Sequence, residues 1–263
     1  MDYKKVSDHI VNWIIRDMKE SHVDGCVVGV SGGIDSAVVS NLCARTYKPV
    51  ICAHMPINQD ILPRAEAHVE KLKKDYTNVT SHTEDLSVVF NNFNHSNYYN
   101  EFAMVNTRSR LRMVALYAIA NTHNYYVVGT GNMVEDFGIG FFTKFGDGGV
   151  DISPIGELVK SEVYGMGAYL GVNSDILTAK PTDGLWEDGR TDEDQIGATY
   201  SELEWAMDFC KKLGGLKTIK GLEAMKSMLT IEKRKMKVLE LYLERHEKNA
   251  HKMEMPRICH LDI

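Results

Sequence analysis

Apolar and polar positions in the first half of the chain alternate between a helical and a strand-like period. Residues 4–19 predict a helix because Val6, Ile10, Trp13, Ile14 and Met18 fall on one face. Short apolar runs then alternate with amphipathic segments. The predicted strands are Val27–Val30, PVICAHMP (49–56), NVTSHT (78–83) and YYVVGTGN (125–132), and the predicted helices between them are Asp35–Arg45, Pro63–Asp75 and RLRMVALYAIANTH (110–123).

This alternation indicates the fold class. Strands that are apolar throughout and separated by helices are typical of a parallel sheet covered on both faces. We therefore expect an α/β fold with a parallel sheet, helices on both of its faces and a helical C-terminal part. Residues 1–263 show no repeat and no obvious linker, so we expect a single domain.

The second half is patterned differently. Residues 136–158 are rich in glycine and lack a long periodic run, which predicts a loop built for close backbone approach to a ligand. A helix is predicted over 160–170, followed by a polar stretch at 179–195. A charged amphipathic helix is predicted over roughly 218–248.

The composition of the chain excludes some classes of function. The net charge is −6, so the basic excess that neutralises a nucleic-acid backbone is missing. No apolar run approaches the roughly 20 residues that span a bilayer. The five cysteines form no C-x-x-C pair and are expected to be reduced and mostly buried. We expect a cytoplasmic protein that binds neither nucleic acid nor membrane.

The turn Ser31-Gly32-Gly33 joins the first predicted strand to the next helix. It lacks the Gly-Lys-Ser/Thr of a Walker A motif. Its glycines and the following helix N-terminus nevertheless suit anion binding, with hydroxyl donors from Ser31 and Ser36. Asp35 would repel a bare phosphate, which suggests a bridging Mg²⁺. A plain strand–turn–helix with a capping residue is the alternative.

Several longer motifs carry a family resemblance. SGGIDS (31–36) resembles the pyrophosphatase loop of the N-type ATP pyrophosphatases, which cleave ATP between the α and β phosphates. GTGNMVEDFGIGFFTKFGDGG, KPTDGLW and TDEDQIGATY closely resemble segments of the ammonia-dependent NAD synthetases, and the resemblance extends to HKMEMP near the C-terminus. It implies a Rossmann-like, adenine-nucleotide alpha-hydrolase-like fold.

The resemblance also implies the site residues. ATP would be bound by Gly29, Val30, Ser31, Gly32, Gly33, Ile34, Asp35, Ser36, Thr130, Lys160 and Thr182. Deamido-NAD would be bound by Arg110, Lys144, Asp151, His251 and Lys252. Mg²⁺ would be held by Asp35 and Glu135, and Lys144 and Lys160 would serve catalysis.

The implied reaction explains these residue types. A carboxylate is a poor acyl donor, so the nicotinate carboxylate of deamido-NAD would first attack the α-phosphate of ATP and form an acyl-adenylate. Ammonia would then displace AMP and leave the amide of NAD. Both steps concentrate negative charge on phosphates, for which lysines and Mg²⁺ are suitable stabilisers. No covalent nucleophile is required, and the chain carries no G-x-S-x-G motif.

Asp147 is the candidate for handling ammonia. Ammonium must lose a proton before attack, and Asp147 is an acidic residue in the glycine-rich loop beside Lys144. We expect it to bind ammonium and help deprotonate it. The alternative is that Asp147 only forms a turn, because Asp-Gly is a common turn pair.

Other assignments also have plainer alternatives. Without this motif context, Lys144 and Lys160 would be taken as surface lysines. For the pair Glu135-Asp136, the alternative is a solvated loop carboxylate. One residue more than in shorter family members separates Glu135 from Lys144. HEKNAH (246–251) is not H-E-x-x-H, and its histidines fall on different helix faces, which excludes a zinc site of that kind. Residues 180–198 are a candidate lid over the site.

The resemblance further implies a homodimer, for which the apolar face of residues 105–120 is a candidate surface. Because the synthetase pattern begins by residue 25, free ammonia is the expected nitrogen donor. Three rivals stay open: amidation of nicotinate mononucleotide to NMN, a tRNA thiolation or lysidine-type enzyme, and a nucleotide sensor without catalysis. The acidic net charge argues against the tRNA enzyme.

Overall fold

The computed structural model describes residues 1–93, 98–182, 191–226 and 230–261. Its centre is a parallel sheet whose four strands lie in the order β3-β2-β1-β4. The strands are β1 Gly25–Gly29, β2 Val50–His54, β3 Val79–Thr83 and β4 Tyr125–Val127. All strand pairs are parallel, which confirms the predicted fold class.

The predicted helices of the first half are present, and several short helices are added. The helices are α1 Tyr3–Glu20, α2 Ile34–Ala44, α3 Pro63–Asp75, α4 Ser87–Phe93, α5 Glu101–His123, α6 Lys160–Tyr169, α7 Ser174–Leu177, α8 Asp192–Ile196, α9 Tyr200–Lys212, α10 Ile219–Met225 and α11 Lys233–Asn249. A π-helix covers Met133–Ile139, and a 3-10 turn covers Ala250–Lys252. Among the described residues, no helix is both long and apolar enough to cross a bilayer.

Both faces of the sheet are covered, which explains why its strands are apolar throughout. Cys26 and Val28 of β1 pack into a core shared with α1, α2, α3 and α6. Val27, between them, points to the other face and packs against Ala120 and Leu116 of α5. Neighbouring residues of one strand are thus buried by different helices.

The strand order sets the position of the site. β1 lies between β2 and β4, so the connections leaving β1 and β4 diverge at the carboxyl ends of these two strands. Such a switch point in an open parallel sheet forms a crevice suited to ligands. The turn after Gly29 and the segment after Val127 both begin at this edge.

The second half of the chain differs from its prediction in two places, and the first is the C-terminal helix. A continuous helix over 218–248 is wrong, since α10 ends at Met225 and α11 begins at Lys233. The two helices pack on each other, so Leu222 of α10 and Leu239 of α11 enter one apolar cluster with Leu203 of α9. One straight helix could not fold back to bury both faces in that cluster.

The loop predicted over 136–158 is also partly wrong. Its first residues belong to the π-helix Met133–Ile139, which buries Val134 and Ile139 in the same C-terminal cluster.

A buried histidine gives the fold a pH-dependent stability. His68 on α3 is 1% exposed, and its Nε2 lies 2.9 Å from Ser40 Oγ. The hydroxyl of Ser40 donates to the carbonyl of Ala37, so Oγ accepts the Nε2 proton. Nδ1 of His68 has no hydrogen-bond partner among the described residues. Burial lowers the pKa of His68 to about 4.

We therefore expect the protein to lose stability between about pH 6.5 and pH 4, where the unfolded chain binds a proton at His68 and the folded chain does not. The full loss at this residue is roughly 3 kcal/mol in the free energy of unfolding. Urea unfolding across this range measures it. His68→Gln should flatten the dependence, whereas His9→Gln on the exposed face of α1 should leave it unchanged. An equally steep dependence in His68→Gln would contradict the assignment.

Candidate active site

The turn after β1 is organised by its own hydroxyl groups. Gly33 N–H donates to Ser31 Oγ at 3.2 Å, and Ser31 N–H donates to Ser36 Oγ at 3.3 Å. Ser36 Oγ in turn donates to the carbonyl of Gly33 at 3.0 Å. Gly32 has a φ of +84°, a left-handed conformation that favours glycine. The turn ends at Gly33, immediately before α2, as an anion-binding loop requires.

This loop is attached to the protein from two sides. Val30 and Ile34 are buried in the main core and hold its two ends. Arg64 at the start of α3 donates from Nε to the carbonyl of Gly32 at 2.9 Å. Arg64 was not among the predicted site residues, because nothing in its local sequence links it to a turn more than thirty residues earlier. It brings a permanent positive charge to the loop.

A buried lysine joins two predicted metal ligands. Lys160 Nζ donates to Asp35 Oδ2 at 2.7 Å and to Glu135 Oε1 at 2.8 Å. The Lys160 side chain is only 4% exposed. Burial alone would lower the pKa of Lys160, but the charges and hydrogen bonds of Asp35 and Glu135 outweigh burial and raise that pKa well above its usual value. Lys160 is therefore charged, and it belongs to the site rather than to the surface.

Asn132 connects this charged centre to the π-helix. Its Nδ2 donates to Asp35 Oδ1 at 3.0 Å. Its Oδ1 accepts hydrogen bonds from the N–H groups of Val134 and Glu135 and so caps the first turn of the π-helix. One fully buried side chain thus contacts the carboxylate of Asp35 and the backbone of Glu135, the two predicted metal ligands. Asn132 was missed, although it stands in the motif GTGN.

Two further residues of the TDEDQIGATY motif reach the same centre. Tyr200 OH is hydrogen-bonded to Glu135 Oε1 and lies 3.2 Å from Asp192 Oδ2. The ammonium of Lys160 lies 4.9 Å from the centre of the Tyr200 ring. The motif was used to recognise the family, but neither residue was given a role.

Glu135 and its neighbour Asp136 have different surroundings. Glu135 faces Lys160, whereas the carboxyl group of Asp136 lies against the backbone of Gly131, where a Cβ would collide with it. Burial raises the pKa of Asp136 well above its usual value, and the charge of Asp147 raises it further. The geometry therefore favours Glu135 over Asp136 as the partner of Asp35.

The donor set is compatible with Mg²⁺ bound together with nucleotide phosphates. Asp35 and Glu135 converge on one point, as their common contact with Lys160 shows. Mg²⁺ commonly uses one or two carboxylates and takes its remaining ligands from phosphates and water. Within the described ranges, no group of three or more His, Cys, Asp or Glu side chains forms a complete protein metal site.

Asp147 organises the glycine-rich loop. Its Oδ1 accepts hydrogen bonds from Ser109 Oγ at 2.7 Å and from Thr143 N–H at 2.9 Å. Oδ2 accepts none within the described part of the chain. Burial raises the pKa of this carboxyl, and the hydrogen bonds from Ser109 and Thr143 act in the opposite direction. As a whole, Asp147 is an exposed residue.

Two lysines that were predicted to bind the substrate, Lys144 and Lys252, connect the glycine-rich loop to the C-terminal segment. Lys144 Nζ donates to the carbonyls of His251 at 2.5 Å and Glu254 at 3.0 Å. Lys252 Nζ donates in the opposite direction, to the carbonyls of Gly140 at 2.7 Å and Phe142 at 2.8 Å. Residues 140–144 and 251–254 are thereby fastened together, and His251 is exposed beside them.

The remaining predicted residues lie around this region. Asp151 accepts hydrogen bonds from Tyr117 OH and Val127 N–H, so its carboxylate supports the end of β4. Arg110 Nε donates to the carbonyl of Lys144 at 3.3 Å. Thr130 is half-buried after β4, and Thr182 is exposed at the end of a described range. The candidate lid, 180–198, falls partly outside the described residues, and its last part forms α8.

Comparison with known proteins agrees with this geometry. The sequence profile of a family described as NAD synthase matches residues 6–256. An NH(3)-dependent NAD(+) synthetase from Alkaliphilus metalliredigens is 42% identical over 207 residues, covering 75% of this chain and 83% of the relative. The synthetase of the same name from Methanosarcina acetivorans is 33% identical and covers 99% of this chain and 100% of the relative.

Solved structures agree as well. The NMN synthetase from Francisella tularensis superposes with a TM-score of 0.82 at 30% identity, covering 99% of this chain and 100% of that one. The NH3-dependent NAD synthetase from Campylobacter jejuni superposes with a TM-score of 0.76 at 26% identity and the same coverage. The resemblance read from the motifs is confirmed: this chain belongs to the NAD synthase family.

Proposed function

We propose that the protein is a carbon–nitrogen ligase that converts deamido-NAD to NAD with ammonia, using ATP and releasing AMP and pyrophosphate. The observation that carries this proposal is the charged centre of Lys160, Asp35 and Glu135 beside the Ser31–Ser36 turn. It lies at the switch point of the sheet, where a nucleotide can reach both the backbone N–H groups and the lysine. The kinship with NH3-dependent NAD synthetases supports the same reaction.

Each group of residues in the site would have its own role in the reaction. The turn and the start of α2 would bind the leaving pyrophosphate through backbone N–H groups, with Arg64 close by. Lys160 would stabilise the negative charge that develops at the α-phosphate. Mg²⁺ held by Asp35 and Glu135 would, when bound, neutralise phosphate charge. The nicotinate carboxylate attacks the α-phosphate, and the resulting acyl-adenylate is opened by ammonia.

An amidation assay tests the proposal directly. The protein is incubated with ATP, Mg²⁺ and ammonium chloride, with deamido-NAD or nicotinate mononucleotide offered in parallel, and AMP and amide are measured. We expect one AMP per amide and faster turnover of deamido-NAD. AMP formation with neither acid would contradict the proposal and would indicate another acceptor for the adenylate.

Amidation of nicotinate mononucleotide to NMN is the second candidate. It is favoured by the close superposition on the NMN synthetase from Francisella tularensis over nearly the whole chain. The Lys160 centre and the ATP loop would serve both acids equally. Faster NMN formation in the same assay would keep the mechanism and change the substrate.

We propose further that Asp147 binds ammonium through Oδ2 and takes its proton. Asp147→Asn keeps an acceptor for Ser109 and Thr143 but removes the negative charge. We expect kcat/KM for ammonium to fall about 10²-fold near neutral pH. The loss should shrink as the pH rises, because more nitrogen is then already free ammonia. Initial rates against ammonium concentration at several pH values measure this.

The matched control is Asp208→Asn, which replaces a surface carboxylate paired with Lys212 and should leave the kinetics unchanged. Wild-type ammonium dependence in Asp147→Asn at every pH would leave Asp147 with only its role in the turn.

The exposed face of α4 and α5 supports a homodimer. Val88, Val89, Phe93, Phe102 and Val114 are large apolar residues with exposed side chains on these two helices. A cavity of about 440 Å³ lies beside them, lined by residues of α5 and of the sheet edge. Large exposed apolar side chains on two neighbouring helices favour a protein partner, and we propose a second copy of this chain.

Val114→Lys should disrupt that dimer, because it places a charge among the exposed apolar residues, at the edge of the cavity. Sedimentation at fixed concentration should show a monomer, whereas Tyr47→Lys, an exposed site outside this face, should sediment as the wild type. An unchanged mass for Val114→Lys would exclude this face as the interface.

We also propose that residues 1–263 act as one unit, since Lys160, Glu135 and Tyr200 bring the sheet and the C-terminal helices to one centre. Location in the cytoplasm stays a prediction.

A further inference from the structure

The hydroxyl of Tyr200 lies between two carboxylates. It donates to Glu135 Oε1 and is 3.2 Å from Asp192 Oδ2. Tyr200 is 7% exposed and Asp192 is 5% exposed, so water has little access to this group. A phenol has one proton, and it can donate to only one of the two carboxylates at a time.

The tyrosine ring itself is firmly held. Tyr200 is the first residue of α9, and its N–H donates to Glu193 Oε1 at 2.9 Å. The ring packs in the C-terminal apolar cluster and lies beneath the ammonium of Lys160. Rotation about the C–O bond, without movement of the ring, is enough to redirect the proton from Glu135 to Asp192.

The Glu135 oxygen that accepts the tyrosine hydroxyl is also an oxygen that a bound cation would use. Glu135 Oε1 accepts from both Lys160 and Tyr200. A divalent cation coordinated to that oxygen needs its lone pairs and repels the donated protons. Asp192 offers the hydroxyl a second acceptor within reach, so the tyrosine can leave Glu135 without losing its hydrogen bond.

We propose that Tyr200 is a positioning residue whose hydroxyl donates to Glu135 when the site holds no metal, and to Asp192 when Glu135 binds a divalent cation. This inference rests on the proposed function, which assigns the cation to Asp35 and Glu135. Asp192 thereby determines how tightly the cation binds, although it is not itself a ligand.

The change of hydrogen-bond acceptor from Glu135 to Asp192 also links the cation to the ATP site. Asp192 begins α8, and its N–H donates to the carbonyl of Pro181 at 3.1 Å. Thr182, the predicted ATP contact, is the next residue after Pro181. A hydrogen bond from Tyr200 to Asp192 therefore strengthens the attachment of this segment when the cation is present.

The test is binding of Mn²⁺ alone, followed by the electron paramagnetic resonance signal of free Mn²⁺. If the hydroxyl changes its acceptor in this way, Asp192→Ala should bind Mn²⁺ at least about tenfold more weakly than the wild type, because the hydroxyl then stays on Glu135. Tyr200→Phe should bind Mn²⁺ at least as tightly as the wild type. The double variant should behave like Tyr200→Phe.

Tyr242→Phe is the matched control, because it removes another buried hydroxyl from the same apolar cluster and should bind Mn²⁺ as the wild type does. If Asp192→Ala weakens Mn²⁺ binding equally in the wild type and in Tyr200→Phe, only the charge of Asp192 matters. That result would overturn the proposed change of hydrogen-bond partner. Weaker binding by Tyr200→Phe alone would also overturn it, even if Asp192→Ala does not fold. Absence of Mn²⁺ binding to the wild type, both alone and with a non-hydrolysable ATP analogue, would refute the metal assignment itself, a failure distinct from these two.

Discussion

Replacing Lys160 with methionine should lower kcat/KM for amidation about 10³-fold. Methionine preserves much of the side-chain length but removes the charge that would stabilise the reacting phosphate. It also leaves Asp35 and Glu135 facing each other without their shared cation, with side chains only 18% and 15% exposed. Breaking a buried ion pair from one side typically destabilises a protein by about 3 kcal/mol or more. Product assays and urea unfolding measure the two effects separately.

Lys212→Met is the matched control for that experiment. Lys212 also pairs with a carboxylate, Asp208, but both side chains are exposed, so the loss should stay below about 1 kcal/mol with normal activity. A Lys160→Met enzyme within tenfold of wild-type kcat/KM would show that the lysine serves only the fold. Loss of activity with unchanged stability would instead assign it wholly to catalysis.

The parts of the molecule that could be predicted are those set by local pattern. β1 to β4 and the helices α2, α3 and α5 follow from apolar runs and turn residues, whereas α4 was not predicted, and Pro63–Asp75 was predicted with the bounds that α3 has. The convergence of Gly32 and Asp35 with the segment after β4 also follows, because parallel strands present their carboxyl ends at one edge. Asp35, Glu135 and Lys160 were proposed through family motifs, and the structure brings them into contact.

The parts that could not be predicted depend on contacts between distant residues. Arg64 reaches Gly32, and Asn132 reaches Asp35, through folding alone. No periodicity indicates that Tyr200 should meet Glu135, since 65 residues separate them. The break before α11 is not marked by a proline, so the local sequence did not indicate it.

Lys252 is one of two lysines that connect the glycine-rich loop to the C-terminal segment, and its contacts indicate what it does. It was predicted to bind deamido-NAD, yet its ammonium donates to the carbonyls of Gly140 and Phe142 and lies 5.3 Å from the centre of the Phe142 ring. Burial lowers the pKa of Lys252, whereas the charge of Asp147 raises it. In this position the lysine fixes the start of the loop that carries Lys144 and Asp147.

Lys252→Met should therefore lower kcat/KM about 10²-fold, because displacement of a catalytic loop by about 1 Å costs that much. Both the KM for ammonium and the KM for deamido-NAD should rise, since Asp147 and Lys144 move together. Lys248→Met, an exposed lysine one helical turn earlier, is the control and should keep wild-type kinetics. A rise in the KM for deamido-NAD alone would instead assign Lys252 to the substrate. Kinetics equal to those of Lys248→Met would show that the loop keeps its position without this lysine, because Lys144 and its two carbonyl partners hold it.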